Sequence, residues 1–393
     1  MSNICNFNYN SSMASAPVLT GQAGSGVGFL DCVLTTGFNA KSVTSLVRTG
    51  TTCTLELSSL HGFLPGDVIS ISGASSTWND LYLVTGNPDS THITFETSTT
   101  PTSPATGTIT VRYPPVGAKL SAGNVIPQWE IVTSGNITNK RIYRSLDVTG
   151  TRWYLRVDDT NAKYMTVSML EGFITADSGL QNQVDFHWMK SVTADATARK
   201  WIFIGDSKRF FPMVQWNSSI MTTNNAFEGN FFGDIIPSKP GDVYHCGING
   251  TTSIGTTGDE CYSIYTSFHL DNSTVASGLM RSYSQLGSQV AFKKLSYLGN
   301  VTSYYGFNAT YPYPNAADSG TYLTKCFVFE GNVRRGTMPA MRQSWQNIQG
   351  SLASFDKSVV KDGHTFMYIR VYSANSGQIG GFFMDITPNI SWS

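Results

Sequence analysis

Residues 60–74, LHGFLPGDVISISGA, decide how the whole chain is interpreted. A Pro-Gly pair separates a single histidine from a strand in which Ile69 and Ile71 alternate with serines. Proline presets φ at the first central position of a type II turn, and glycine accepts the positive φ of the second. The segment is therefore predicted to be the corner of a small β module, with His61 and Asp67 stabilising the turn.

Alternation of apolar and polar residues continues on both sides of this corner. In TCTLELSS, Cys53 and Leu57 fall on one face and Glu56 on the other, as expected for a half-buried strand. RIYRSLD and RWYLRVD flank a turn and are predicted to form a hairpin whose Trp153, Leu155 and Val157 point inward. Further strand-like segments are YMTVSML, KWIFIGD, RFFPMVQW, TYLTKCFVFE, TFMYIRVYS and GGFFMDI.

Such short strands at regular spacing are typical of sandwiches and barrels. The predicted fold class is all-β: a larger β-sandwich or barrel-like domain, with a small β-barrel module inserted near the N-terminus and few short helices.

One segment, residues 339–357 (PAMRQSWQNIQGSLASFDK), departs from alternation. Its apolar residues from Met341 to Phe355 recur at helical spacing, which predicts an amphipathic helix. Residues 222–241 and 299–320 are predicted to be long irregular loops of functional or interface-forming type.

Composition limits the function classes. Charged residues make up 13% of the chain, and 26 basic residues balance 26 acidic ones. A nucleic-acid-binding protein normally carries a basic surplus, and a membrane-surface protein a polybasic stretch, so both classes are disfavoured. Neutral, hydroxyl-rich β surfaces with 12% aromatic residues instead favour a subunit packed in an assembly.

The N-terminal segment MSNICNFNYNSSMASAP lacks the pattern of a signal peptide, and no apolar run approaches the ~18 residues of a membrane-spanning helix. Six cysteines occur without a C-x-x-C pair. Cys53 and Cys326 lie in strand-like segments and are predicted to be buried small apolar residues. We expect the chain to fold in a reducing cytoplasm.

Residues 43–113 resemble a module common in the structural proteins of tailed bacteriophages. The matching features are LHGF at residues 60–63, PGD at 65–67, VISISG at 68–73 and ITFE at 93–96. That module is often likened to the first catalytic cysteine half-domain of ubiquitin-activating enzymes, a likeness of β-barrel shape that implies no catalytic thiol here.

Residues 141–159, RIYRSLDVTGTRWYLRVDD, are similar to a stretch of phage virion proteins, and so are residues 190–211 and 380–387. The resemblance covers residues 28–215 well and the C-terminal third in patches, whereas residues 222–320 match nothing recognised. It implies a virion protein assembled in the host cytoplasm. Its partners would be other copies of itself and other tail proteins.

TGFNAK (36–41) and VGAK (116–119) flank the small module. They look like the two parts of one segment that the module interrupts. The predicted division is therefore an N-terminal arm and first strand of the main domain (1–41), an inserted β module (42–114) and the main β region (115–393). The main β region is either one domain or two domains that divide near residue 220.

The sequence carries no nucleophile elbow, phosphate-binding loop, zinc-protease motif or histidine pair at ligand spacing. No catalytic residue, cofactor or metal is therefore predicted. The glycine-rich GQAGSGVG (21–28) is predicted to be a flexible or subunit-threading arm. Two alternatives stay open, namely calcium held by Asp158, Asp159 and Asn161, and a glycosidase using acidic residues of one region. Those acidic residues are Asp147, Asp158, Asp159, Glu171, Asp177 and Asp185.

Aromatic residues in the C-terminal part are the interface candidates, because Tyr and Trp are enriched at interface cores. They are Tyr304, Tyr305, Tyr311, Tyr313 and Trp345. The leading hypothesis is a non-enzymatic structural subunit of a tail or its tip or baseplate. The alternatives are a receptor-binding fibre or spike that recognises host surface polysaccharide through these tyrosines, and a head or neck decoration protein.

Overall fold

The structure is a computed structural model that describes residues 4–75, 77–132, 137–217, 221, 225–251, 275–296, 313–344, 346, 359–361, 363–372 and 379–392. These residues are almost entirely β, which confirms the predicted fold class. Helix α1 spans Ser25–Asp31 and continues into a π-helical turn, Cys32–Thr36.

The strands before residue 114 are β1 (Phe7–Asn10), β2 (Phe38–Thr49), β3 (Thr52–Leu57), β4 (Val68–Ala74), β5 (Leu81–Gly86), β6 (His92–Glu96) and β7 (Gly107–Tyr113). The next group is β8 (Lys119–Ser121), β9 (Asn124–Ile126), β10 (Trp129–Ile131), β11 (Lys140–Ser145), β12 (Tyr154–Asp158), β13 (Tyr164–Leu170), β14 (Asp185–Met189), β15 (Trp201–Gly205) and β16 (Arg209–Val214). The last group is β17 (Glu228–Gly229), β18 (Phe231–Asp234), β19 (Ile236–Pro237), β20 (Cys246–Thr251), β21 (Val275–Leu279), β22 (Val290–Ala291), β23 (Lys293–Ser296), β24 (Leu323–Glu330), β25 (Val333–Ser344), β26 (Val359–Lys361), β27 (His364–Tyr372) and β28 (Ile379–Asp385).

Strands β2 to β7 close into a six-stranded barrel in the order β2-β3-β6-β5-β4-β7. The alternating residues predicted from the sequence fill its interior, and Cys53, Leu55, Ile71, Ile93 and Val111 are fully buried there. Closure pairs the first strand with the last, which leaves the barrel without a free sheet edge. The predicted small β-barrel near the N-terminus is therefore present.

The Pro-Gly corner of the barrel, at residues 64–67, has the predicted type II geometry. Gly66 has a φ of 91°, and the Asp67 N–H donates to the Leu64 carbonyl over 3.0 Å. His61 Nδ1 accepts the Phe63 N–H at 2.8 Å, and the Asp67 carboxylate accepts the Leu64 N–H at 2.8 Å. The prediction that His61 and Asp67 stabilise the turn is confirmed.

The chain enters and leaves the barrel side by side, since Phe38 pairs with Tyr113 and Lys41 with Val111. At this base the ring of Tyr9, from β1, packs edge-on against Phe38 with centroids 5.2 Å apart. The barrel is thereby joined to the main sheet by aromatic contacts. The division into residues 1–41, 42–114 and 115–393 stays a prediction.

Thirteen described strands form the main sheet, in the order β1-β15-β16-β18-β20-β14-β13-β12-β11-β10 with β17, β21 and β22 attached. Its centre is buried on both faces. Trp201 and Phe203 of β15 face the N-terminal segment, where the Phe29 ring lies 4.8 and 5.8 Å from theirs. Ile202 and Ile204 face the second sheet. This two-sided burial explains why the segment KWIFIGD is apolar throughout.

The second sheet has the order β23-β24-β25-β28-β27-β26, with β19 paired to β25. It covers the main sheet through a core that includes Met341 and Met384. Here the predicted helix over 339–357 is wrong in its first part, because residues 339–344 belong to β25. Met341 pairs with Met384, so pairing on both sides holds this segment extended. Position 346 is an isolated bridge, and residues 345 and 347–357 lie outside the described residues.

Two further predictions need correction. Residues 222–241 were expected to be irregular, yet β17, β18 and β19 lie within them. The N-terminal 28 residues were expected to include a flexible or subunit-threading arm. From residue 4 onward they instead form β1 and the start of α1, and Phe7, Leu19 and Val27 are buried in the chain's own core.

Candidate functional site: an aromatic surface at one end of the main sheet

A stack of aromatic and arginine side chains lies at one end of the main sheet. Trp153 precedes β12 and Tyr244 precedes β20, and their rings are parallel within 10°, with centroids 5.5 Å apart. The Arg281 guanidinium lies 5.0 Å from the Tyr244 ring centroid, as in cation–π contacts. Arg281 reaches this position because β21, antiparallel to β20, ends beside the start of β20.

Two exposed side chains follow Arg281 within five positions of the chain. Tyr283 is 44% exposed and Leu286 is 71% exposed. The Lys239 ammonium lies 4.7 Å from the Tyr283 ring centroid. We call Trp153, Tyr244, Arg281, Tyr283 and Leu286 the aromatic surface. Aromatic residues and arginine in one exposed patch are the composition of protein interface cores.

Charged groups beneath the aromatic surface hold it in place. Arg281 makes a bidentate ion pair with Glu171, through Nε–Oε1 and Nη2–Oε2. The fully buried Arg335 donates to the Arg281 carbonyl at 2.9 Å and pairs with Asp242 at 2.9 Å and with Glu330. Arg281 pairs with one acid and Arg335 with two, so these five groups hold the surface through ion pairs and together carry one net negative charge.

The aromatic surface is not predicted from the sequence. Trp153 was predicted to point inward with Leu155 and Val157; the latter two are fully buried, but Trp153 is partly exposed and stacks on Tyr244. Its partners lie 91 and 128 positions further along the chain. No local pattern connects such distant residues. The only available signal was a tryptophan at the start of a strand, directly after a turn.

The aromatic residues predicted as interface candidates are mostly untested. Tyr304, Tyr305, Tyr311 and Trp345 lie outside the described residues. Tyr313 is described and is half-buried against a small cluster on the second sheet formed by Phe366, Tyr368 and Phe383. The interface role of these side chains stays a prediction.

Asp158 and Asp177, two of the acidic residues considered for glycoside hydrolysis, share basic partners. Lys140 Nζ lies 3.0 Å from Asp158 and 2.7 Å from Asp177, and Arg156 lies 3.2 and 3.4 Å from them. Burial raises the pKa of Asp158, but hydrogen bonds from Thr160 and Lys140 outweigh it and hold the pKa below its ordinary value. A glycosidase acid needs the opposite, a carboxyl whose pKa is raised.

The other acidic candidates also have structural partners. Burial would raise the pKa of Asp147, yet hydrogen bonds from Ser207 and Thr149 lower it to about 2. Glu171 binds Arg281, and Asp185 accepts hydrogen bonds from Ser168 and Gln183. These carboxylates therefore serve folding contacts.

Asp159 lies inside the protein as the acceptor at the start of α1. Its Oδ2 accepts the N–H groups of Gly26 at 2.7 Å and Val27 at 3.0 Å, and its Oδ1 pairs with Lys190. Both charged side chains are fully buried. A Cβ at Gly26 would overlap the sulfur of Met165. Gly26 is thus required for close packing beside this ion pair, and the prediction that residues 21–28 form a flexible or subunit-threading arm is corrected.

The proposed calcium ligands point to different partners. Asp159 faces α1, Asp158 binds Lys140, and Asn161 Oδ1 accepts the Lys163 N–H at 2.8 Å. In the part of the chain that the structure describes, no group of three or more His, Cys, Asp or Glu side chains is arranged to hold a metal ion. The calcium alternative is therefore wrong for these three residues.

Cys53 and Cys326 are fully buried, as predicted, and burial raises the pKa of the Cys53 thiol to about 11. Among described residues the cysteines are free thiols. The same residues include no helix long and apolar enough to cross a membrane.

Comparisons with known proteins leave the family open. No protein-family profile matches this chain, and no curated protein matches it. Among solved structures the chain is similar to the phage phi92 endosialidase at 12% identity and a TM-score of 0.16, over 88% of this chain and 52% of that chain. The chain spans about half the length of that protein, and a superposition at this level does not establish a shared fold.

Proposed function

We propose that this chain is a non-enzymatic structural subunit of a tailed-phage virion, in the tail or its tip, that works by symmetric protein–protein assembly. The observation that carries the proposal is the aromatic surface, where Tyr283 and Leu286 are exposed beside a fixed stack of Trp153, Tyr244 and Arg281. Partly exposed Trp, Tyr and Arg side chains that are already held in one conformation lose little entropy when a partner covers them.

Two further observations support this function. The chain has no net charge, which disfavours an independent soluble existence and favours burial in an assembly. The resemblance of residues 43–113 and 141–159 to phage virion proteins supplies the biological context. The acidic residues considered for hydrolysis are occupied by structural partners, and this favours a binding role over a hydrolytic one.

The test is self-association of the purified chain, measured by size-exclusion chromatography with light scattering. We expect the wild type to form a defined oligomer and the double variant Tyr283→Ser/Leu286→Ser to shift toward monomer. Val18→Ser removes another exposed aliphatic side chain, on the N-terminal segment, and is the matched control. The proposal fails if the wild type stays monomeric at high concentration and the chain is absent from purified virions by mass spectrometry.

A further inference from the structure

His245 follows Tyr244 of the aromatic surface in the chain, and its ring lies between two oxygen atoms. Nδ1 contacts the carbonyl oxygen of Asp242, and Nε2 lies 3.5 Å from Oδ2 of Asp234. Both oxygens are hydrogen-bond acceptors. A neutral imidazole carries one N–H and the protonated ring carries two, so only the charged ring can donate to both oxygens.

Asp234 connects His245 to the segment that carries Trp153. The Asp234 carboxylate accepts the Thr151 N–H at 2.9 Å through Oδ2 and the Thr151 hydroxyl through Oδ1. Thr151 lies two positions before Trp153, and His245 lies one position after Tyr244. The carboxylate of Asp234 is therefore held from both of the backbone segments whose aromatic rings stack.

A second contact joins the same two segments and does not involve a histidine. The Trp153 indole N–H donates to the Val243 carbonyl at 3.1 Å. The Tyr244 N–H donates to Oδ1 of Asp242, and Asp242 pairs with the buried Arg335 at 2.9 Å. These bonds keep the two rings near each other when the His245 contact is lost. The expected change is therefore a loosening of the stack rather than its separation.

The charges next to His245 favour its protonated form. Burial would lower the pKa of the imidazole, but hydrogen bonds to Asp234 and to the Asp242 carbonyl, with the charges of both carboxylates, outweigh burial and raise the pKa above its ordinary value. Burial would raise the pKa of Asp234, yet hydrogen bonds from His245 and Thr151 outweigh it and lower the pKa. Other titratable or charged groups on the elements around this pair are Asp147, Lys208, Arg209, Cys246 and Arg335.

The direction of the pH effect follows from the raised pKa of His245. Below the ordinary histidine pKa of about 6.5 the ring is charged, and it donates to both oxygens. As pH rises through the raised pKa the ring loses one proton, and one of its two nitrogens then presents a lone pair to an acceptor. The link between the two segments weakens in that direction. A surface that is less well held must be ordered when a partner covers it, which weakens binding.

We propose that His245 is a pH-sensitive positioning residue of the aromatic surface, which fixes the stack of Trp153 and Tyr244 when charged and releases one contact when neutral. The consequence for assembly rests on the proposed function: self-association through this surface is tighter below neutral pH than above it. Histidine suits this role because its ordinary pKa lies close to neutral pH. The stack then has two states, and protonation shifts the population toward the fixed one.

The test is the dissociation constant of the oligomer, measured by analytical ultracentrifugation of the full chain at pH 6, 7, 8 and 9 and at constant ionic strength. The wild-type constant should rise about tenfold from pH 6 to pH 9, equivalent to about 1.4 kcal/mol. His245→Gln has no titrating ring, so its constant should change much less. All other titrating groups are common to both chains. The matched control is His92→Gln, which removes a barrel histidine that pairs with Asp89 at 2.9 Å and should behave like the wild type.

Asp234→Asn is a second variant, which keeps the histidine but removes the carboxylate next to it. Because this carboxylate raises the pKa of His245, the loss of association should occur at a lower pH in the variant than in the wild type. A contact that only supported the fold would weaken association equally at every pH. An unchanged midpoint of the pH profile would therefore contradict the role given to Asp234 and His245.

A local measurement tests His245 in the monomer, at concentrations too low for self-association. The near-ultraviolet circular dichroism that depends on the stack is the difference between the wild type and Trp153→Phe. This difference should decrease from pH 6 to pH 9 and should stay constant when both chains carry His245→Gln. The inference is overturned if the difference does not depend on pH, or if His245→Gln leaves either pH profile unchanged. A wild type that is monomeric at every pH would refute the proposed function alone, because the circular dichroism still decides the role of His245.

Discussion

Glu228 is a carboxyl that the fold keeps protonated, and its replacement by glutamine should change how stability depends on pH. The residue is 2% exposed and pairs with Val214 inside the main sheet. Burial raises its pKa from an ordinary 4.5 to about 8, and the nearby Trp216 indole offsets this only in part. At neutral pH the folded protein therefore holds a proton that the unfolded chain releases.

The direction in which stability changes with pH follows from this difference in bound protons. Between pH 4.5 and pH 8 the folded state binds more protons than the unfolded state, so the free energy of unfolding falls as pH rises. With ~1.36 kcal/mol for each pKa unit, the loss across this window is at most about 5 kcal/mol. That is a large fraction of the ~5–15 kcal/mol typical of folded domains. Above pH 8 the loss is complete and constant.

Urea unfolding followed by tryptophan fluorescence at pH 5.5, 6.5, 7.5 and 8.5 measures this effect. Glu228→Gln carries no titrating proton, so it should be about 2 kcal/mol or more stable than the wild type at pH 8.5, with the difference shrinking toward pH 5.5. Glu56→Gln, at an exposed glutamate of the barrel, is the matched control. Equal pH slopes for Glu228→Gln and the wild type would refute the reasoning.

Three further substitutions test the packing around α1 and the barrel corner by the same unfolding assay. Lys190→Met leaves Asp159 charged and buried, so it should cost about 3–5 kcal/mol, and adding Asp159→Asn should recover part of that loss. Gly26→Ala should destabilise the fold, because its Cβ would overlap a methionine sulfur. Gly28→Ala has open space around its Cβ, so it should leave the free energy of unfolding unchanged or raise it by up to about 1 kcal/mol. Equal effects at both positions would contradict the packing argument. Asp67→Ala removes the acceptor of two hydrogen bonds at the barrel corner and should cost about 1–3 kcal/mol, and a loss below 0.5 kcal/mol would show that the turn holds without it.

The all-β class and the barrel were predictable because their signals are local. The side chains of a strand alternate between faces, so Cys53, Leu55 and Ile71 revealed the barrel interior without any knowledge of their neighbours. The Pro-Gly corner was equally local, since proline and glycine restrict φ by their own covalent structure. His61 could be placed in the turn for the same reason.

The predicted helix at residues 339–357 shows where local patterns stop being decisive. Met341 and Trp345 are four apart, which fits a helix, and Met341, Gln343 and Trp345 also alternate, which fits a strand. Short apolar runs are ambiguous in this way. Hydrogen bonds to β24 and β28, from residues distant in sequence, hold residues 339–344 in the strand conformation.

The sequence by itself determined the strand faces, the tight corner of the barrel and the buried cysteines, because each depends on residues within a few positions of one another. Tertiary structure alone decided what the charged and aromatic side chains do. Asp159 became a buried partner of Lys190 rather than a ligand or a catalyst, and Trp153 became part of an exposed stack with Tyr244. These roles depend on which distant strands become neighbours, and sheet order follows from packing summed over the whole chain, which no short segment contains.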